Sequence, residues 1–481
     1  MDTAVGERRE NKVYIRLCFT CLSAMTLASC ATYHPVALSS SAGLASSLQQ
    51  LQLEMDPAAH PELPEQWLLK RVMPADGLDE TEAIVLAVLN SPRLTAARTQ
   101  IAESRAALYA AGLLPDPQAG VGLDFPRSND PTLKTGESFS LGIDLQQILT
   151  RNARRDAAGE QARATWLNVL WQEWQGIQQA RMLWRRGFMQ QQQIAMLQQQ
   201  MVQAKNTWQG QHDALNKGNT TLDQAGLALT PLMDAEAALI ESKRQLNATL
   251  HDFNLLLGVD PSVRIALTEP AVALLSLITL PPSGDELQAR LDAIGKRRPD
   301  LLALQAGFMS QESRVREQIL LQFPSFSIGA NALRDTAGLW TLGPFINLNL
   351  PLLGGNRGNV AVARATRGRL AEEYRLQLAN ARVQASKMAR DQQLAYEEWQ
   401  ALTMHLPQLS LTVKRMAHAL SIGQIDMLTF TTLRTACFSQ QLRVLMLEQA
   451  LLEQGVALDT LTGTTLAAAP AQTNNLQGVH P

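Results

Sequence analysis

The stretch SFSLGIDL, residues 138–145, alternates polar or small residues with large apolar ones. Its apolar positions share one parity: Phe139, Leu141, Ile143 and Leu145. Successive side chains of a strand point to opposite faces, so this pattern predicts one apolar and one polar face. The stretch AGVGLDF, residues 119–125, alternates similarly, and a turn-rich segment containing Asn-Asp-Pro separates the two. We therefore predict a strand pair over 119–146.

A second pair of alternating stretches follows within 325–351, as SFSIGAN at 325–331 and a strand over 341–350. In its second strand the apolar residues Leu342, Ile346, Leu348 and Leu350 all stand at even-numbered positions. Alternation over about ten residues is typical of membrane barrel strands, with apolar residues facing lipid. A single pair fits a half-buried hairpin in water equally well. Two such pairs on an exported chain favour membrane strands.

The two strand pairs belong to a repeat with a period near 205 residues. Seven ordered anchors match with a slowly drifting offset: Pro92 with Pro299, Leu94 with Leu301, Pro117 with Pro324, Gly122 with Gly329, Leu141-Gly142 with Leu342-Gly343, Arg154 with Arg357, and Gly218 with Gly423. Internal repeats of this kind indicate duplicated structural units. We predict a first repeat over 81–258 and a second over 285–465, joined by a linker over 259–284.

Each repeat is predicted to hold one helix before its strands and a long helical tract after them. Residues 92–114 are rich in helix formers and begin and end at proline. The later tracts run from Asn152 to about Leu257 and from Asn359 to about Thr462, with a kink at Pro231 and a break near Pro407. Folded into hairpins of about 50 residues per arm, they would be about 75 Å long.

Heptad spacing follows the glycines Gly218 and Gly423 and predicts coiled-coil packing. One seam series is Ala225, Leu232, Leu239, Leu246 and Phe253; its companion is Leu222, Leu229, Glu236, Lys243, Leu250 and Leu257. The second repeat has Phe430, Cys437, Val444, Leu451 and Leu458, with Leu433, Gln440, Leu447 and Leu461. We interpret the two glycines as short breaks that join residues 31–80 and the linker in a belt around the helices.

The N-terminus carries an export signal. Arg8, Arg9, Lys12 and Arg16 precede a short apolar run that ends in Leu-Ala-Ser-Cys at Cys30. This pattern predicts a signal peptide over 1–29 and resembles a bacterial lipobox, which implies lipidation of Cys30 and outer-membrane sorting. Residues 30–80 would then be a lipid-anchored segment and belt, and 466–481 a disordered tail. The remaining Cys437 falls on a heptad seam and is predicted to be buried and inert.

Composition excludes several functions. The 481 residues carry 42 Lys and Arg against 44 Asp and Glu, a balance that argues against a nucleic-acid binder. Beyond the signal, no apolar run is long enough for a membrane helix, so any crossing must use barrel strands. No nucleotide, zinc-protease or nucleophile-elbow motif occurs, so we predict no enzyme and no cofactor. The cluster of potential soft-metal ligands in the second repeat comprises Met404, His405, Met416, His418 and Met427. Amphipathic helix packing accounts better for them, and we predict no metal site.

These features together resemble the TolC-type outer-membrane efflux protein family. The resemblance rests on the Pro-x-Leu helix starts at Pro92 and Pro299, the Leu-Leu-Pro-Asp-Pro segment at 113–117, the Arg-Arg-Pro-Asp segment at 297–300, and the Gly-Gly-Asn-Arg-Gly turn at 354–358. It implies a mainly helical chain with long antiparallel hairpins, forming an α-barrel, and four amphipathic strands. Three such chains would form a homotrimer with a 12-stranded β-barrel in the outer membrane, docked through a periplasmic adaptor on an inner-membrane pump.

The family resemblance also implies a periplasmic aperture lined by acidic residues near the helix tips. We place it at Asp391, Glu397 and Glu398, just before the expected turn of the second hairpin. The function implied is a passive exit duct for small solutes such as drugs or metal ions. Two alternatives stay open: a periplasmic coiled-coil lipoprotein acting as adaptor or tether, and the exit duct of a type I secretion system.

Overall fold

The computed structural model describes residues 33–41, 43–54, 72, 77–127, 130, 132–269, 278 and 281–464. The predicted signal peptide, Cys30 and the predicted tail lie outside the described residues. The chain divides into two units, Met1–Leu44 and Ala45–Pro481. In the first unit the described residues 33–41 are exposed and have no regular structure. Everything below concerns the second unit.

The described residues of the second unit form nine α-helices and four strands in one order. The helices are α1 Glu80–Asn90, α2 Pro92–Gly112, α3 Leu145–Asn216, α4 Leu222–Leu227, α5 Leu229–Leu257, α6 Gly284–Arg297, α7 Pro299–Leu320, α8 Arg357–Ser421 and α9 Met427–Thr462. The strands are β1 Gln118–Asp124, β2 Gly136–Asp144, β3 Ser325–Arg334 and β4 Trp340–Asn349. Both repeats run helix, helix, strand, strand, long helix and returning helix, which confirms the predicted duplication.

The helical hairpins turn at Gly218 and Gly423, so the prediction of two equal arms is wrong. In the first repeat α3 has 72 residues, about 108 Å at 1.5 Å per residue, whereas α5 has 29. In the second, α8 has 65 residues and α9 has 36. The long helices outreach their partners because their first halves pack on α2 and α7 instead. Each long helix thus packs on one partner helix along its first half and on another along its second half.

The two prolines act differently from their prediction. Helix α8 continues through Pro407, so the predicted break is absent. Pro407 is exposed, and on an exposed helix face water can satisfy the carbonyl group that loses its amide donor. Pro231 is the third residue of α5, where the missing N–H has no intrahelical partner to lose. The interruption predicted there lies three residues earlier, at Ala228.

The heptad prediction is confirmed for one series per repeat and wrong for the other series of the first. Phe430, Cys437, Val444, Leu451 and Leu458 are all buried on α9, so Cys437 lies in the seam as predicted. In α5 the predicted companions Glu236 and Lys243 are exposed. The buried companions stand one position earlier, at Ala235, Ser242 and Thr249. In a heptad pattern the companion of each seam residue can stand on either of its two sides, three or four residues away. The seam series alone therefore did not decide which of the two companion positions faces α3.

A belt of non-helical segments surrounds the middle of α3. Ala45 bridges Val259 and Leu78 bridges Leu267, both in parallel. The Trp184 indole N–H donates to the Leu78 carbonyl at 2.8 Å, and Trp184 is fully buried in the main core. The segments 45–54, 77–79 and 258–269 therefore pack together against α1 and the middle of α3, within the stretches predicted to form a belt. The glycines at the turns do not join it, because Gly218 lies 34 residues beyond Trp184, about 50 Å along the helix.

Candidate membrane sheet and helical ends

The four strands form one antiparallel sheet in the order β1-β2-β3-β4. The hairpins β1–β2 and β3–β4 are the predicted strand pairs. Strand β2 also pairs with β3, which joins the two repeats: Phe139 lies opposite Ala332 and Ile143 opposite Ile328. Sequence reasoning did not specify this pairing, because nothing local to either strand names a partner 190 residues away.

One face of the sheet is apolar across all four strands. Residues opposite each other in the register share a face, so the rows can be read directly from the pairing. The rows are Val121-Phe139-Ala332-Leu342, Ala119-Leu141-Ala330-Pro344, Ile143-Ile328-Ile346 and Phe326-Leu348. Many of these side chains are exposed, with Leu342 at 81% and Val121 at 78%. An exposed apolar face this continuous marks an interaction surface rather than a water-facing one.

The opposite face is built mainly from small and polar residues, with Leu333 and Phe345 as its large apolar members. Its rows are Gly120-Ser140-Asn331-Gly343, Gly122-Ser138-Leu333-Thr341, Asp144-Ser327-Asn347 and Ser325-Asn349. Where Gly142 pairs with Gly329, the ring of Phe345 lies over both, and a Cβ atom on Gly329 would come within 2.7 Å of that ring. The sheet therefore combines an apolar outer face with a polar inner one, which is the pattern of a membrane barrel strand.

The far end of the apolar face carries charge and one large aromatic ring. Glu137, Arg334 and Trp340 lie in one row. The Arg334 guanidinium lies 5.9 Å from the centre of the Trp340 ring. Aromatic rings and arginine are typical of the boundary between the apolar zone and water. This row marks the end of the apolar zone farthest from the helices.

Both the sheet and the helical layer have open edges. Among the described strands β1 and β4 each pair on one side. Helix α3 packs on α2 and α5 and also on α7 and α9, and α8 packs on α7 and α9. Helices α5 and α8 carry several exposed apolar side chains. They include Met233 and Ile240 on α5, and Val362, Leu376, Val383 and Met404 on α8.

The opposite end of the molecule is formed by the two helical turns. Gly218 and Gly423 both adopt φ +72°, the left-handed conformation that favours glycine. Asp426 then caps α9, accepting from the Thr429 amide at 2.7 Å and the Thr429 hydroxyl at 2.9 Å. These hydrogen bonds lower the pKa of Asp426. The helix breaks predicted at the two glycines are thus the turns of the hairpins.

The predicted aperture residues do not lie near this end. Asp391, Glu397 and Glu398 precede the last residue of α8 by 23 to 30 positions, about 35–45 Å along the helix. Glu398 accepts two hydrogen bonds from Arg443 on α9, at 2.7 and 2.9 Å, and Glu397 accepts one from Gln393. The expected position beside the hairpin turn is thus wrong, since the turn lies beyond Ser421. Their role in an aperture stays a prediction.

Other predicted sites give a mixed outcome. Cys30 lies outside the described residues. Within the described part of the chain no group of His, Cys, Asp and Glu could hold a metal ion. Of the soft-metal candidates, Met404, His405 and His418 lie exposed along α8. None of the described helices has an apolar window long enough to cross a membrane.

A partly buried ion cluster connects α1 to helices of both repeats. The Glu80 Oε1 atom accepts from the Arg181 Nε at 3.1 Å and the Arg185 Nε at 3.0 Å. Asp459 of α9 lies 4.0 Å from Arg181. Burial raises the pKa of Asp459, while the nearby arginines oppose that shift. The cluster links α1, α3 and α9 at mid-height, and nothing in the sequence pattern pointed to it.

The family model for outer membrane efflux proteins matches residues 291–464, which cover most of the second repeat. The resemblance inferred from the helix starts and turns is thereby confirmed. No curated protein matches the chain.

Several solved structures share the fold. CusC, described for conformational changes in transmembrane channel formation, has a TM-score of 0.66 at 16% identity, covering 83% of this chain and 96% of its own. The CmeC outer membrane channel of Campylobacter jejuni has a TM-score of 0.65 at 14% identity, covering 92% and 95%. The open MtrE outer membrane channel of Neisseria gonorrhoeae has a TM-score of 0.61 at 15% identity, covering 79% and 88%. At these identities the matches establish the fold, and they confirm the predicted fold class.

Proposed function

We propose that this chain, whose second repeat is an outer membrane efflux protein domain, is the exit duct of a tripartite efflux system. Three copies would close one barrel in the outer membrane and one helical tube below it. Small solutes such as drugs or metal ions would pass through passively. The observation that carries the proposal is the exposed apolar face shared by all four strands, set directly on a helix of 72 residues.

Closure of the sheet supports the trimer. A sheet of four strands has two unpaired edges and is too small to form a barrel alone. Pairing β4 of one copy with β1 of the next removes every edge. In the proposed trimer α8 of one copy would pack on α2 and α5 of the next and cover Met233, Ile240 and Val383, which are exposed in the single chain. A single neighbouring copy would therefore pair with the free strand and also cover the exposed apolar side chains of the helices.

The helical ends support contact with further partners. The turns at Gly218 and Gly423 lie at the end of the long helices away from the sheet, where a periplasmic adaptor and an inner-membrane pump would meet the duct. An adaptor or tether is a weaker candidate, because a single coiled-coil hairpin has no use for two strand pairs joined through β2 and β3. Selection among solutes would fall to the pump, since a wide tube discriminates little.

Single-channel recording tests the duct. Purified wild-type trimers in planar bilayers are expected to give stable conductance. Leu141→Arg places charge on the apolar face and should abolish insertion, since arginine at the bilayer midplane costs about 2–4 kcal/mol per chain. Ser140→Arg, its neighbour on the polar face, is the matched control and should insert but favour anions. Well-folded trimers without conductance would overturn the proposal, as would equal insertion by the two variants.

We also propose that Cys30 is acylated and anchors the mature chain to the outer membrane. The support is the lipobox-like sequence Leu-Ala-Ser-Cys at 27–30. Cells given radiolabelled palmitate are expected to label the wild-type protein. Cys30→Ser should lose the label, while Cys21→Ser within the signal peptide should keep it. Label that persists in Cys30→Ser would refute acylation at this residue.

A further inference from the structure

A cavity of about 440 Å³ lies beside the two helical turns. Its walls come from the last turns of α3, the start of α4 and α5, and the start of α9. We call it the Arg434 pocket, after the one cationic side chain among its lining residues. Hydroxyl and amide groups such as Thr207 and Gln211 share the wall with apolar Leu227 and Met427. The volume and the mixed lining are typical of small-ligand sites.

Arg434 lacks a counter-charge in the described structure. Its Nη2 atom donates to the Thr207 hydroxyl at 3.2 Å, and its guanidinium lies 5.3 Å from the centre of the Phe430 ring. Its Nε atom is buried and has no acceptor among the described residues. Burial lowers the pKa of the Arg434 guanidinium, but arginine stays protonated at neutral pH. A partly buried cation therefore faces the cavity with a donor unused.

Neighbouring charges do not meet this need. Asp426 is the one carboxylate among the lining residues, and both of its oxygens already accept hydrogen bonds from Thr429. Within the described residues no carboxylate lies within ion-pair distance of Arg434, whereas Arg443 on the same helix is paired with Glu398. A cation that is removed from water without a partner is costly to keep. An anionic ligand in the cavity would supply the missing charge.

We propose that the Arg434 pocket binds a small organic carboxylate with an apolar body. The carboxylate accepts from the Arg434 guanidinium, in the paired geometry that guanidinium and carboxylate groups favour. The apolar body lies against Leu227 and Met427, with hydroxyl and amide groups at its edges. The site goes beyond the proposed duct and does not depend on it, since binding is measured without any conductance.

Equilibrium dialysis of purified full-length trimers with 2-naphthoate tests the pocket. We expect saturable binding of one molecule per chain. The neutral isostere 2-naphthamide should bind at least about tenfold more weakly, because it offers no charge to the guanidinium. This comparison needs no variant, so it stands even where a substitution disturbs folding.

Variants then locate the site. Arg434→Gln should weaken 2-naphthoate binding at least about tenfold, and Arg434→Lys should recover part of it. Arg443→Gln, an arginine on the same helix outside the pocket, should leave binding unchanged. Absence of saturable 2-naphthoate binding, equal binding of the amide, or equal losses in Arg434→Gln and Arg443→Gln would each overturn the proposal.

Discussion

The two repeats make hydrogen bonds at equivalent positions, but they use different side chains to do so. In the first, Arg98 of α2 donates to the Val88 carbonyl at 2.9 Å and to Glu173 of α3 at 2.6 Å. In the second, Gln305 of α7 donates to the Gly295 carbonyl at 3.4 Å and to the Tyr374 hydroxyl of α8 at 2.9 Å. Each donor reaches a carbonyl ten residues earlier and the following long helix.

The repeats also differ where strand becomes helix. In the first, β2 runs into α3 without a linker, and Asp144 caps the helix by accepting from the Gln146 amide at 2.9 Å. In the second, a loop separates β4 from α8, with Gly355 and Asn356 both at φ +55°. The predicted tract start at Asn152 is therefore seven residues late. Duplication preserved the geometry of the unit, while the side chains that maintain it diverged.

The largest difference should appear where one repeat tolerates a proline. Pro407 lies sixteen residues before Gly423, and Val202 lies sixteen before Gly218. We expect Val202→Pro to cost about 3 kcal/mol, because a proline introduced inside α3 removes an amide donor and its ring clashes with the carbonyl four residues earlier. Thermal unfolding of detergent-solubilised trimers measures it, with the equally exposed Val202→Ala as control. Equal melting temperatures for the two variants would mean that the repeats tolerate proline alike.

The Arg98 contact should contribute more than its counterpart. Glu173→Gln leaves a partly buried guanidinium without its counter-charge and should cost about 2–3 kcal/mol, whereas Gln305→Ala should cost about 1. The double variant Arg98→Gln with Glu173→Tyr copies the second repeat into the first. If the contacts are equivalent, it should be more stable than Glu173→Gln alone in the same melts. A double variant as unstable as the single one would contradict the equivalence.

The junctions are expected to differ less. Asp144→Ala removes a helix cap and should cost about 1 kcal/mol. Asp144→Asn retains the side-chain acceptor and should cost only a few tenths. Gly355→Ala should cost a similar 1 kcal/mol for a different reason, the strain of a side chain at positive φ. Chemical denaturation of the trimers compares the three; a Gly355→Ala variant as stable as wild type would show that this turn relaxes.

The smallest effect depends on pH. Burial raises the pKa of Glu448, which accepts from the Trp399 indole at 3.2 Å. A raised pKa in the folded state means that stability is lost as pH rises from the ordinary carboxyl range through the folded value. Glu448→Gln should therefore raise the melting temperature at pH 7.5 and leave it unchanged at pH 4. The equivalent position of the first repeat, twenty-five residues after its turn glycine, is the exposed Lys243. Lys243→Gln should change the melting temperature by the same amount at both pH values.

Much of the fold could be predicted because its signals are local. The alternation from Phe139 to Ile143 fixed the strands and their faces, and the spacing from Phe430 to Leu458 fixed the seam of α9. The repeat and the helix starts at Pro92 and Pro299 needed no partner to be recognised. The candidate site was predicted less well: the faces of the sheet are correct, whereas the acidic aperture residues were placed beside a turn that lies elsewhere.

The sequence by itself determined the period of each element, the identity of its faces and the order of the two repeats. Those properties follow from side chains a few residues apart, whose directions are set by backbone geometry. Only the tertiary structure decided that β2 pairs with β3, that α3 changes partners along its length, and that no carboxylate among the described residues forms an ion pair with Arg434. The sequence shows that an apolar stripe must be buried, but it does not identify which of several similar stripes packs against it. The neighbours of a charged side chain are likewise set only by the folded structure.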